Sequence, residues 1–177
     1  MLVLVFSAQI AEATEVIGRT TRVIDGDTIE VEIVEVKKEK YRNLTGAKRV
    51  RFADINAPEL STPEGQRSKE FLASLLTGKR VLLDVDDMKV TDKYNRIVAV
   101  VFLEHNATHY LNVNLFLVEK GYAAVRDYEN EFNPSSWALY VRSTGDQGAA
   151  GGIPMELVAL IALLLLLFLA LIVVRVR

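Results

Sequence analysis

Val23-Ile24-Asp25-Gly26-Asp27-Thr28-Ile29-Glu30-Val31 reads as strand, tight turn and strand. An Asp-Gly pair between alternating apolar residues is a strong short-range hairpin signal, because glycine takes positive φ without a steric penalty. Two carboxylates, Asp25 and Asp27, bracket the glycine. Negative charge gathered in a turn can hold a hard divalent cation through oxygen ligands. The same turn can be purely structural, with Asp25 bonding its own backbone. The stretch alone leaves both readings open.

Outward from the turn, Thr28 to Val36 places an apolar residue at every second position, the pattern of a strand with one buried and one wet face. The loop Lys37-Lys38-Glu39-Lys40-Tyr41-Arg42-Asn43 is basic with one aromatic, either a solvated hairpin tip or a hold on a phosphate backbone. Ala47 to Ile55 is the next strand, with Lys48, Arg49 and Arg51 interleaved among apolar residues. A guanidinium there can fork onto two phosphate oxygens. Asn56-Ala57-Pro58-Glu59 stops the strand, since proline cannot continue a ladder.

From Thr62 the period changes to that of a helix, capped at Ser61 or Thr62 and ended by Gly78. Lys79 to Asp87 is a strand, Asp92-Lys93-Tyr94-Asn95-Arg96 a turn, and Ile97 to Leu103 a near-continuous apolar strand. Glu104 to His109 is a polar loop. Leu111 to Gly121 is a second helix with Leu111, Leu115 and Val118 on one face. Tyr122 to Val125 is a short strand, and Ser135 caps a brief helix running through Val141.

The chain has 177 residues and a formal net charge of −2, so no global basic field points to nucleic acid. It has no cysteine, which excludes disulfides, thiol chemistry and zinc–thiolate sites. Residues 1–13 have the apolar run and small-x-small end of a signal peptide, without its basic start. Residues 14–142 form the folded domain and 143–152 a Gly/Ala-rich linker. Leu157 to Val174 is 18 consecutive apolar residues, about 27 Å as a helix, so residues 153–174 read as one transmembrane span. Arg175 and Arg177 make 175–177 a cytoplasmic basic tail, with the domain extracellular. Without export, the chain would be tail-anchored and face the cytoplasm.

Asp25-Gly26-Asp27-Thr28, Arg51 to Glu59 and Asp92 to Arg96, in that order, resemble the staphylococcal nuclease (thermonuclease-like) family from about Glu15 to Trp137. The resemblance implies an α+β chain that is mainly β: an OB-fold, a five-stranded Greek-key barrel with two to three helices, here joined to the C-terminal transmembrane helix. It implies calcium-dependent hydrolysis of phosphodiester bonds in DNA or RNA, with weak sequence preference. In that reading Asp27 is a Ca2+ ligand, Asp25 supports the ion and Ala57 offers its carbonyl. Arg51 and Arg96 grip the scissile phosphate, and Glu59 activates or orients the attacking water. Lys93, Tyr94 and Tyr128 hold the nucleotide.

Two positions depart from the family pattern. Asn56 stands where an aspartate usually binds calcium, which removes one formal charge. Asp54, two residues away, supplies a compensating carboxylate if the strand runs without a bulge. The last helix is also shorter than the family's. The partners expected are nucleic acid and a membrane. The alternative function is a weak or inactive OB-fold module that binds nucleic acid at the membrane without cutting it.

Overall fold

The structure is a computed structural model and describes residues 15–143. Strands β1 (Val16–Val23), β2 (Thr28–Val36) and β3 (Ala47–Phe52) run antiparallel in sequence. The free edge of β1 pairs with β5 (Arg80–Val85), and β5 pairs with β6 (Ile97–Asn106). Strand β6 then lies parallel to β3, which closes a five-stranded barrel. Closure removes the open edges that a flat sheet of these strands would present.

The barrel interior follows from the alternation. Ile29, Val31, Val50, Leu83, Ile97, Ala99 and Val101 point inward and are buried. The unbroken apolar run in β6 has a cause: its other face is covered too. Val100 and Phe102 join Ala53 and Leu82 in a second cluster, packed under Phe132, Trp137 and Val141. Strands β7 (His109–Asn112) and β9 (Tyr140–Arg142) extend the sheet beyond β6.

Helix α1 (Pro63–Leu76) begins as its sequence dictates. Thr62 is the N-cap and accepts from the Gly65 amide, and Pro63 stands in the first turn, where no amide is needed. Leu72 and Leu76 are buried in the main core cluster with the barrel residues, and Gly78 follows at φ +73°. The second helix starts later than expected. Leu111 belongs to β7, Asn112 caps, and α2 (Val113–Glu119) buries Val113, Asn114 and Leu117 rather than a Leu111–Leu115–Val118 face. The Asn112 side chain accepts from the Leu115 amide and caps the helix. The polar loop before it is also shorter, because β6 continues to Asn106.

Ala47 to Ile55 is not one strand. A turn at Ala53-Asp54 separates β3 from β4 (Ile55–Asn56), and Asp54 sits at φ +53°. Strand β4 pairs with β8 (Ala124–Val125) in a separate two-stranded sheet. The brief helix after Ser135 is replaced by a single 3-10 turn, Pro134–Ser136, capped by Asn133, before the chain returns as β9. The basic loop is solvated at every residue but Tyr41, which anchors it. Tyr41 is buried, with its hydroxyl donating to the Val85 carbonyl and the Asp87 carboxylate. Lys38 pairs with buried Glu15, and Lys40 with Asp87 at 2.6 Å.

The expected signal peptide (1–13), most of the linker (143–152), the membrane span (153–174) and the basic tail (175–177) lie outside the described residues. Among the described residues no helix is long and apolar enough to cross a membrane, and the longest, α1, has 14 residues. The fold class is therefore corrected to a five-stranded barrel with two α-helices. The membrane partner and the extracellular placement, which rested on the span, are set aside with it.

Candidate active site

Barrel closure decides where the chemistry-bearing residues meet. In the β2–β3 register Thr28 faces Arg51, and in the β3–β6 register Arg51 faces Val98. Asp27 enters β2 one residue before Thr28, and Arg96 enters β6 two residues before Val98. Three segments distant in sequence thus converge at one edge of the barrel. They line a cleft of about 910 Å³, which also receives Asp25, Asn56, Ala57, Glu59, Lys93, Tyr94 and Tyr128. All ten residues singled out from the sequence border this one space.

The Asp25–Asp27 turn is held from several sides. Ile24 N–H donates to the Thr28 carbonyl at 2.9 Å, and Asp25 Oδ1 accepts from the Asp27 amide at 3.0 Å. Gly26 is needed here, though not for positive φ, which it does not adopt. A Cβ at this position would lie 2.2 Å from Ser68 Oγ and 2.6 Å from Ala57 Cβ. The turn is therefore pressed against Ser68 of α1 and the Ala57 methyl, and only a residue without a side chain fits. Gly65 serves the same end, since a Cβ there would stand 2.0 Å from the Glu59 carbonyl oxygen.

Asp27 is buried. Its Oδ2 accepts from the Ala57 amide at 2.7 Å and lies 3.3 Å from the Arg51 guanidinium. Its Oδ1 accepts from the Thr28 hydroxyl at 3.2 Å. Burial pushes the Asp27 carboxyl up to about 6, against the lowering pull of Arg51 and the Ala57 amide, while neighbouring Asp25 adds to the rise. Arg51 also donates to the Phe52 carbonyl at 2.7 Å and to Asn56 Oδ1 at 3.3 Å, which fixes the plane of its fork.

Arg96 is braced by Asp92, which accepts from Nε at 2.7 Å and from Nη2 at 2.6 Å. Burial raises the Asp92 carboxyl, but the Arg96 amide and guanidinium together outweigh it and hold it below the usual range. Arg96 Nη1 reaches Thr28 Oγ1 at 3.4 Å, so the hydroxyl of Thr28 links both arginine segments. Neither Asp92 nor Thr28 was assigned a role from sequence. The signal for Asp92 was its place four residues before Arg96.

Tyr94 is 58% exposed at the cleft rim, with Lys93 Nζ 5.0 Å and the Arg96 guanidinium 5.2 Å from its ring centre. Glu59 is exposed just ahead of α1, and among the described residues its carboxylate makes no hydrogen bond. Its backbone is fixed instead, because its carbonyl accepts from Thr62 N–H at 2.9 Å and Oγ1 at 2.7 Å.

The expected calcium centre combines two carboxylates with an amide and a backbone oxygen. Among the described residues no group of three or more Asp, Glu, His or Cys side chains converges as a metal cluster. The donors present are hard oxygens, which suits calcium chemistry, but they are engaged within the protein. Asn56 Nδ2 donates to the Ala57 carbonyl at 3.2 Å, so two of the expected ligands bond to each other. Asp54 does not compensate for Asn56 as an in-line strand carboxylate. The turn at φ +53° interrupts the strand, and its Oδ1 accepts from the Tyr128 amide and the Asn130 side chain.

The barrel cleft thus sets two braced guanidiniums beside buried Asp27 and exposed Glu59. The family model "Staphylococcal nuclease homologue" matches residues 49–142, more than half of the chain, and the chain belongs to that family. It is 36% identical over 113 residues to an uncharacterized endonuclease of Escherichia coli, covering 64% of this chain and 63% of that one. It is 35% identical over 136 residues to Protein ParB of Escherichia coli, covering 74% of this chain and 70% of that one. Against the thermonuclease of Staphylococcus hyicus the identity is 33% over 103 residues, covering 55% and 54%. The chain thus spans under two thirds of the length of the first and last of these relatives. Two of these relatives carry the names endonuclease and thermonuclease.

Proposed function

We propose that this domain hydrolyses phosphodiester bonds of DNA or RNA, with little sequence preference. The observation that carries the reading is the convergence of Arg51, Arg96 and Glu59 on the one cleft that holds Asp27. Hydrolysis places extra negative charge on the non-bridging oxygens of the phosphate. Arg51 meets that charge from β3 and Arg96 from the turn that leads into β6, and both are already oriented by Asn56, Asp27 and Asp92. Guanidiniums held in place before reaction lower the barrier without reorganising. Glu59 takes or orients the proton of the attacking water, a role open to an exposed carboxylate with no protein donor committed to it. Tyr94 and Tyr128 offer ring faces to bases, and ring stacking tolerates any base.

Calcium is part of the proposal as a ligand to be tested. Asp27 and Asp25, with the Asn56 and Ala57 oxygens, are the residues that would hold it. A hard cation there supplies Lewis-acid charge to the phosphate. A second reading has one observation in its favour. Asn56 lowers the charge of the metal-side donors, which suits a module that binds nucleic acid without cutting it.

The test uses the full chain with single-stranded DNA and RNA, in calcium or in chelator. Cleavage by the wild type that is lost in Arg51→Ala and Glu59→Ala supports the hydrolase. Salt-sensitive binding without cleavage supports the binding module. Neither cleavage nor binding overturns both.

A further inference from the structure

Asp54 is fully buried in the turn between β3 and β4. Its φ of +53° lies in the left-handed region, where glycine, asparagine and aspartate are the tolerated residues. Glycine would satisfy that backbone. What glycine lacks is an acceptor, and the Asp54 carboxylate is fully employed as one on its Oδ1 side. It takes the Tyr128 amide at 2.9 Å and the Asn130 side-chain amide at 2.6 Å. The Asp54 carbonyl takes a third donor, the Arg126 amide, at 2.8 Å.

These bonds continue, past its end, the pairing of β4 with β8, where Ile55 faces Val125 and Asn56 faces Ala124. Beyond Val125 the chain leaves the sheet and most of its side chains are exposed, so few apolar contacts hold Arg126 to Asn130. The segment carries Tyr128, which is 49% exposed and borders the same cleft as Tyr94. The arrangement has a cost. Burial pushes the Asp54 carboxyl above its usual range, Asp127 and Asp86 push the same way, and Oδ2 has no partner within the protein.

We propose that Asp54 is a positioning residue for nucleic-acid binding, clamping the Arg126–Asn130 segment so that Tyr128 stands at the cleft mouth to stack on a base. This rests on the nuclease reading above. It assigns to Asp54 no contact with substrate and no part in the chemical step. The clamp acts through Tyr128, and its loss weakens binding while leaving Arg51, Arg96 and Glu59 in place.

Four single variants of the full chain, and the Asp54→Gly/Tyr128→Ala double variant, test it. Asp54→Gly keeps the left-handed backbone and removes the acceptor. Asp54→Asn keeps both an acceptor oxygen and tolerance of positive φ. Asn130→Ala removes one clamp donor and stands in should Asp54→Gly fail to fold. KM and kcat are measured on a single-stranded oligonucleotide, and amide hydrogen exchange is followed at Arg126 to Asn130. Asp54→Gly is expected to raise KM about fivefold to tenfold, with kcat within about twofold, and to speed exchange at the Tyr128 amide. Asp54→Asn stays near the wild type on both readouts. Tyr128→Ala raises KM on its own and adds little on top of Asp54→Gly. An unchanged KM in both Asp54→Gly and Asn130→Ala, with the wild type active, overturns the proposal while the nuclease reading stands. Asp54→Asn losing as much as Asp54→Gly overturns it as well, since a clamp needs the acceptor and not the charge. A wild type that neither binds nor cuts removes the nuclease reading and this inference together.

Discussion

The Arg51 guanidinium lies 3.3 Å from Asp27 Oδ2, and both side chains are largely withdrawn from solvent. Arg51 lies on β3 and Asp27 in the turn just before β2, brought together because Thr28 pairs with Arg51 in the barrel register. A buried carboxylate and a buried guanidinium each depend on the other. Replacing Arg51 therefore tests catalysis and stability at once. Arg51→Ala is expected to lower kcat by about 10²- to 10³-fold, the usual loss for one preorganised donor. It is also expected to cost roughly 3 kcal/mol of stability, because the Asp27 carboxylate is left buried without its partner. Single-turnover cleavage and urea unfolding measure the two effects, and an unchanged unfolding midpoint would show that the pair contributes nothing to the fold.

Glu59 gives the opposite separation. It is exposed, so Glu59→Gln should leave the unfolding midpoint within the range of ordinary surface changes, about 0.5 kcal/mol. The proposed proton role makes kcat fall by about 10²-fold or more, with KM little altered. A variant that cuts as fast as the wild type removes Glu59 from the mechanism.

Gly26 lies in close contact, and Gly26→Ala places a methyl carbon where Ser68 Oγ and Ala57 Cβ already stand. The Asp25–Asp27 turn must move, and overpacking of this kind costs about 1–3 kcal/mol. Gly26→Ala combined with Ser68→Gly should recover part of the loss, because the nearest obstacle is then gone. Thermal unfolding of the single and double variants checks the argument.

Asn56→Asp restores a formal charge beside the metal-side donors. It also replaces the amide that now donates to the Ala57 carbonyl, freeing that oxygen. The expected outcome is a larger calcium-induced rise in Tm for Asn56→Asp than for the wild type, abolished by chelator. Equal shifts in the two proteins would separate calcium from this set of residues.

Asp84 supplies a pH dependence away from the cleft. Burial pushes its carboxyl up to about 7, Glu15, Glu131 and Asp87 add to the rise, and Lys38 opposes it. Between its unfolded value and about 7 the folded protein holds a proton that the unfolded chain has released. Stability therefore falls as pH rises through that window, and the loss is complete above about pH 7. Asp84→Asn removes the group and should flatten the profile, making the variant more stable than the wild type at pH 8 by an amount on the order of 2 kcal/mol. Denaturation midpoints from pH 4 to pH 8 show the crossing, and parallel profiles would assign the charge to another group.

Much of the site was legible because its motifs are local. Asp25-Gly26-Asp27, Arg51 to Glu59 and Asp92 to Arg96 each carry their chemistry within a few residues, and all border the cleft. The strands were legible where one face is wet, as in β2, since alternation then records burial directly. Boundaries failed where a long-range partner sets them. Leu111 reads as helical by spacing, yet pairing with Leu103 across β6 holds it in a strand. Tyr41 reads as a loop aromatic among lysines, yet its ring fills the core, because the distant Val85 carbonyl and Asp87 carboxylate receive its hydroxyl.

The amino-acid sequence by itself determined the family, the residue types of the site and the two helices, since motif spacing and periodicity are properties of neighbouring residues. Only the tertiary structure decided which of those residues meet, that Gly26 is required by close packing, and that the Asp54 carboxylate bonds to the loop at Tyr128 and Asn130. Those outcomes depend on the register of β3 against β2 and β6 and on contacts between segments some seventy residues apart, as between Asp54 and Tyr128. Such pairings are settled by the summed burial and hydrogen bonding of the whole barrel, which no local stretch of chain contains.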